Sequence, residues 1–159
     1  MTTLLKTNRE EAAKHVAESK NGMILMGSIG VGKTHMIRTP RMVSANQLCM
    51  DYKVHGIEAI SAAINNQIAY QGGKVIIDDI GTEEDVRHFG NQIDPVAYII
   101  QRLYDVNQVA DKPIQLIVTT NLNEQELKNR YGVRVVDRLW EMCDRIVVEG
   151  PNLRKQPIY

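Results

Sequence analysis

Aromatic residues are scarce in this chain. One Phe, one Trp and six Tyr make up 5% of 159 residues, so any core must be mainly aliphatic. Cysteine is scarcer still. Cys49 and Cys143 lie far apart and fit no metal-ligand or redox spacing, which reads as two free thiols, buried or semi-buried, in a reducing compartment. Charge of one sign is missing too, because 19 basic and 19 acidic residues cancel. That balance lacks the footprint of a free-standing nucleic-acid binder, although a local basic patch fits inside a neutral total. No apolar run approaches the ~20 residues of a membrane span, and the amino terminus has no apolar signal core. A cytoplasmic protein without a membrane contact is expected. Repeats, linkers and low-complexity segments are absent. His15, His35, His55 and His88 are scattered without ligand spacing and read as surface residues.

What is present is an alternation of short apolar runs and helical patterns. Thr7-Asn8-Arg9-Glu10 has the form of a capping box that opens a helix to about Ser19. Met23–Met26 is a continuous apolar run, as expected of a strand buried on both faces. A helix should follow from about Gly32 and stop before Pro40. Met42–Cys49 reads as a weaker second strand. Gly56–Tyr70 carries Ile57, Ile60, Ala63, Ile64 and Ile68 at helical spacing, and Val75-Ile76-Ile77 is a third strand. Asp94-Pro95 caps and starts a further helix, and Ile114–Val118 is a fourth strand. Asn123 caps a short helix, Val133–Met142 forms another, and Ile146-Val147-Val148 is a fifth strand. Strands alternating with helices predict an α/β fold with about five parallel strands flanked by helices. One domain is expected over residues 1–159: an N-terminal helix within 1–21, a core over 22–149 and a tail over 150–159.

The strongest chemical signal is Gly27-Ser28-Ile29-Gly30-Val31-Gly32-Lys33-Thr34, a G-x-x-x-x-G-K-[ST] loop placed after a strand and opening a helix. Its glycines allow a tight turn that aims backbone N–H groups at phosphate oxygens. Lys33, expected on an exposed loop edge, would reach the β- and γ-phosphates of ATP. The Thr34 hydroxyl would ligate Mg²⁺. Next comes Val75-Ile76-Ile77-Asp78-Asp79-Ile80-Gly81, an acidic pair closing a buried strand. Behind a phosphate loop, Asp78 reads as the Mg²⁺-site carboxylate and Asp79 as the base that polarises the attacking water, with Glu83 or Glu84 next in line. A plain strand-end turn would also suit Asp-Asp-Ile-Gly. Asn121, after Val118-Thr119-Thr120, either orients the lytic water or touches the γ-phosphate, or else serves as a capping or turn asparagine leading into Asn123. Trp140, beside Leu139 and Met142, reads as packing rather than a base-stacking platform.

Taken together, these segments resemble the AAA+ ATPases of the DnaC/DnaI helicase-loader and IstB transposition-helper group. The matching residues are Gly27–Thr34 with His35, Asp78–Glu83, Thr119–Leu122 and, most specifically, Arg130–Leu139. In that group a Gly-x-Arg-x-x-Asp-Arg segment supplies an arginine finger to a neighbouring subunit's ATP. By position the resemblance implies Arg138, with Arg134 second. Gly150–Arg154 resembles the group's sensor-II segment and implies Arg154. The resemblance further implies a P-loop NTPase of AAA+ type that binds ATP and Mg²⁺ and hydrolyses ATP slowly in a homo-oligomer. It implies a helicase loader or accessory ATPase in DNA replication or mobile-element DNA handling. A replicative helicase or transposase partner and single-stranded DNA contact go with that role. Three departures stand out: only about twenty residues precede the first strand, Asp79 stands where many AAA+ proteins have Glu, and little chain follows for a helical lid, which is expected to be reduced or absent.

Two other readings fit the same motifs. A non-catalytic ATP switch would tolerate Asp79 in place of Glu. A P-loop kinase of a small metabolite needs an arginine-bearing lid, and Ile80–Asn91 holds only Arg87.

Overall fold

The structure, a computed structural model, describes residues 4–28, 30–84 and 93–151. The strands are β1 (Leu4–Asn8), β2 (Gly22–Met26), β3 (Val43–Ser44), β4 (Lys74–Ile80), β5 (Gln115–Thr120) and β6 (Cys143–Glu149). The helices are α1 (Arg9–Glu18), α2 (Lys33–Ile37), α3 (Ala45–His55), α4 (Ile57–Tyr70), α5 (Pro95–Val109), α6 (Glu124–Tyr131) and α7 (Val133–Met142). The six strands among the described residues are all parallel, in the order β1-β6-β2-β5-β4-β3.

Helices on both faces explain why the central strands are continuously apolar. Alternate residues of β2 feed two cores: Met23 and Leu25 pack with Ala12, Val31 and Ile37 from α1 and the α2 region, while Ile24 and Met26 pack with residues of α3 to α7. Cys49 and Cys143 are buried free thiols, and burial pushes the Cys49 thiol up to about 12. Trp140 packs against the larger core and donates its indole N–H to Glu124 Oε1 at 3.1 Å.

The expected sheet of about five parallel strands is present, with a sixth among the described residues: Leu4–Asn8 pairs in parallel with Arg145–Glu149 ahead of the first helix. Two finer expectations are corrected. Asn8, not Thr7, caps that helix, its side chain accepting from the Glu11 N–H at 2.9 Å. The strand expected over Met42–Cys49 is only Val43–Ser44. The Ser44 hydroxyl accepts from the Gln47 N–H, and Ala45, Leu48 and Cys49 fall inward at helical spacing, so α3 replaces the remainder.

A buried charge cluster ties the segment after β4 to the helices. Glu83, with a fully buried carboxylate, accepts from the Gly81 N–H at 2.7 Å, from Arg130 at 3.2 Å and from the Tyr131 hydroxyl. Arg130 also pairs with Asp94, whose other oxygen caps α5 through the Ala97 N–H. Burial pushes the Glu83 carboxyl up, opposed by the Tyr131 hydroxyl and Arg130. One cation thus serves two buried carboxylates, so Arg130→Met should destabilise the fold by about 3–5 kcal/mol at pH 7. A carboxyl whose folded pKa lies above its unfolded one loses stability as pH rises through the folded value. The variant's deficit should therefore narrow between pH 7 and pH 5, as Glu83 takes up a proton. Urea unfolding at the two pH values checks this; an unchanged midpoint at pH 7, or a deficit that grows on acidification, would contradict it.

Candidate functional site

Parallel strands release their C-terminal ends on one edge of the sheet, and β5 lies between β2 and β4. The loop after β2, the acidic end of β4 and the polar end of β5 therefore meet. Gly27 begins the phosphate loop where a Cβ would lie 2.6 Å from the Val148 carbonyl oxygen of β6, so the close strand packing itself demands glycine. Gly32 caps α2 in the left-handed region with φ +94°.

Lys33 is not on an exposed edge. It is 7% exposed, and its ammonium donates to Gly27 O at 2.7 Å, Ser28 O at 2.9 Å and Asn121 Oδ1 at 2.8 Å. The loop folds back over its own lysine, which hides the charge while satisfying it. The Thr34 hydroxyl donates to Asp78 Oδ1 at 3.0 Å. Asp78 also accepts from the Thr119 hydroxyl at 2.6 Å. Asp79 has φ +62°, its N–H donates to Thr119 Oγ1 at 2.8 Å, and its Oδ1 lies 3.5 Å from Asn121 Nδ2. Asn121 is thus at the site, and the cap of α6 is Asn123, which forms a capping box with Glu126.

A cavity of about 480 Å³ opens over these groups, lined by Gly30, Gly32, Lys33, Thr34, Asp79 and Asn121. His35, Arg38, Thr82 and Thr119 also line it. The sequence marks His35 only as a surface residue. It is indeed exposed, but it faces the cavity because it follows Thr34 on α2. Arg38 ends the five-residue α2, where the backbone turns extended ahead of Pro40. Thr82 donates its hydroxyl to Asp79 O at 2.9 Å. A second cleft of about 270 Å³ lies on the far side of Val31, lined by Asn8, Arg9, Glu10, Glu149, Gly150 and Pro151.

The donor set suits an oxygen-seeking divalent cation shared with a substrate. Among the described residues no group of three or more His, Cys, Asp or Glu could hold a metal alone. Thr34 and Asp78 bring two oxygen ligands together, which matches a Mg²⁺ that keeps water and phosphate oxygens in its remaining positions.

The arginines lie elsewhere. Arg138 on α7 donates to Gln101 Oε1 at 3.1 Å and sits 4.8 Å above the Tyr104 ring, and Arg134 is exposed; neither lines the cavity. Glu83 is committed to the buried cluster, and Glu84 pairs with Lys53. Ile29, Arg87, His88 and Arg154 lie outside the described residues. Among the described residues no helix is long and apolar enough to cross a membrane.

No protein-family model matches the chain. Two curated relatives do, both chromosomal replication initiator proteins DnaA from strains of Treponema pallidum, one of them the Nichols strain. Each is 26% identical over 145 residues and 84% of this chain. The chain spans 28% of the length of each. Among solved structures, domain III of the Thermotoga maritima replication initiation protein DnaA overlays with a TM-score of 0.50 at 18% identity, over 89% of this chain and 60% of that one. These are initiators, not members of the loader and transposition-helper group that the motifs resemble. What the overlay shows is the fold, a parallel sheet flanked by helices that this chain shares with that domain.

Proposed function

We propose that this chain binds ATP with Mg²⁺ and hydrolyses it slowly when associated with other copies of itself. The observation that carries this reading is the meeting of Lys33, Thr34, Asp78, Asp79 and Asn121 at the ends of three parallel strands. Triphosphate oxygens would exchange for the loop carbonyls on the Lys33 ammonium, with the amides of the Gly27–Thr34 loop around them. Thr34 and Asp78 would hold a Mg²⁺, which would supply charge neutralisation for the phosphates. Asp79, beside Asn121, takes the proton of the attacking water, and Asn121 holds that water or the γ-phosphate. The cleft beyond Val31 is where the base extends from the loop, between the start of α1 and the end of β6.

Arg138 is proposed as the finger for a neighbouring copy, with Arg134 on the exposed start of the same helix. Gln101 and Tyr104 hold the Arg138 side chain from one side, and a guanidinium with five N–H donors keeps others for a partner. A role in DNA replication or mobile-element DNA handling, as helicase loader or accessory ATPase, is supported by the motif resemblance and by relatives named as chromosomal replication initiators. A replicative helicase or transposase partner, contact with single-stranded DNA and a cytoplasmic setting belong to the same proposal. A second reading, an ATP-dependent switch without useful turnover, rests on the shorter Asp79 in the base position.

Substitutions separate the parts. Lys33→Ala should abolish ATP binding in a fluorescent-nucleotide titration, with circular dichroism as the check on folding, since the lysine is buried. Asp78→Asn should raise the Mg²⁺ needed for binding. Asp79→Asn should keep binding and lower hydrolysis on the order of 10²–10⁴-fold. Unchanged affinity in folded Lys33→Ala protein would refute the phosphate site, and wild-type turnover in Asp79→Asn would move the base elsewhere.

The finger has its own test. Wild-type phosphate release per subunit should rise with protein concentration, and mixing Arg138→Ala with Lys33→Ala should restore activity that each lacks alone. A finger is worth on the order of 10³–10⁵ in rate in well-studied GTPases, so partial restoration is measurable. Concentration-independent turnover together with an inactive mixture would favour the switch reading.

A further inference from the structure

Consecutive strand residues point to opposite faces of a sheet, so two adjacent aspartates in a regular β4 could not both serve one site. Here they do: Asp78 meets Thr34 and Asp79 lines the cavity. The reason lies in the β4–β5 ladder. Ile77 pairs with Val118 and Ile80 pairs with Thr120, so Asp78 and Asp79 together oppose the single residue Thr119. That is a β-bulge, and Asp79 sits within it as the one described non-glycine residue with positive φ. A left-handed aspartate in a strand is strained unless its surroundings hold it.

The holding group is the Thr119 hydroxyl. It accepts the Asp79 N–H at 2.8 Å and gives its own proton to Asp78 Oδ1 at 2.6 Å. One hydroxyl therefore occupies both members of the acidic pair, each in a defined hydrogen-bond sense. Thr119 is 2% exposed, and its backbone is fixed in register with Leu25 of β2, so the hydroxyl cannot drift. The next residue secures the far side of the bulge: Thr120 Oγ1 donates to Ile80 O at 2.8 Å and accepts from the Leu122 N–H at 3.1 Å.

We infer that Thr119 is a positioning residue that clamps the β4 bulge so that Asp78 and Asp79 both face the nucleotide site. The inference rests on the proposed ATP site for its catalytic consequence and on the bulge alone for its structural one. Removing the hydroxyl frees the Asp79 amide and lets its carboxylate swing away from the water it activates. Misplacement by about 1 Å can cost on the order of 10²-fold in rate.

Thr119→Val, which keeps the shape and drops the hydroxyl, should lower turnover on the order of 10²-fold. It should raise the Mg²⁺ needed for half-maximal turnover and leave ATP affinity without Mg²⁺ near wild type. Thr119→Ser should restore turnover. Amide hydrogen exchange at Asp79 should be slow in wild type and the serine variant and fast in the valine variant. If Thr119→Val does not fold, Thr119→Cys serves, because a thiol packs similarly but is a weak donor and acceptor. Equal protection of the Asp79 amide in wild type and in the variant lacking the hydroxyl, or unchanged turnover in that variant, would overturn the inference. A wild-type protein that binds no ATP would instead refute the nucleotide reading, and the exchange comparison would still decide whether Thr119 holds the bulge.

Discussion

The pairing of β5 with both β2 and β4 is the constraint on which the site depends. In an open parallel sheet the strands discharge their loops on one edge, and the middle strand of any three sets the distance between the outer two. Because β5 is that strand, the phosphate loop and the acidic pair are separated by one strand width, and Thr119 and Asn121 fill the gap. Without β5 in between, Lys33 and Asp79 would lose the neighbour they share. With it, Asn121 bridges them, its oxygen on the ammonium and its amide toward the carboxylate.

The same edge carries an electrostatic division. Lys33 carries a positive charge on one side of Asn121, while Asp78 and Asp79 carry the carboxylates on the other. Asn121, Thr119 and the loop carbonyls are neutral, so their hydrogen bonds fix the geometry of these charges without cancelling them. The buried cluster of Glu83, Arg130, Tyr131 and Asp94 lies just behind, joined through the Gly81 N–H to the residues that follow the acidic pair. Tyr131 and Gly132 then lead directly into α7, which bears Arg134 and Arg138. The acidic pair and the α7 arginines are thus anchored to one ion cluster, although they face different surroundings.

Much of this is legible in the sequence where local chemistry is strong. Met23–Met26 and Val75–Ile77 are apolar throughout because both faces of a central parallel strand are covered. Asp94-Pro95 and Asn123 announce helices through caps that need no distant partner. The phosphate loop is legible because its glycines answer local backbone demands. The failures are non-local. Leu4–Asn8 alternates between exposed and half-buried and becomes a strand only because β6, about 140 residues away, offers an edge. Ser44 reads as the middle of a strand because its capping role depends on which face of Ala45–Cys49 turns inward. Lys33 reads as a surface residue because no sequence pattern shows a loop closing over its own lysine. Thr119 is an ordinary strand residue until the bulge sets two aspartates opposite it, and a bulge leaves no pattern in either strand.

The central claim is that the ends of β2, β4 and β5 form one site for a nucleoside triphosphate and its cation. A crystal structure with Mg²⁺ and a non-hydrolysable ATP analogue tests it most directly. The expected result is the Lys33 ammonium on β- and γ-phosphate oxygens, a cation roughly 2.1 Å from Thr34 Oγ1 with Asp78 beside it, and the base in the cleft beyond Val31. A triphosphate bound away from Gly27–Thr34, or bound there with no cation at Thr34 and Lys33 still on its loop carbonyls, would contradict it.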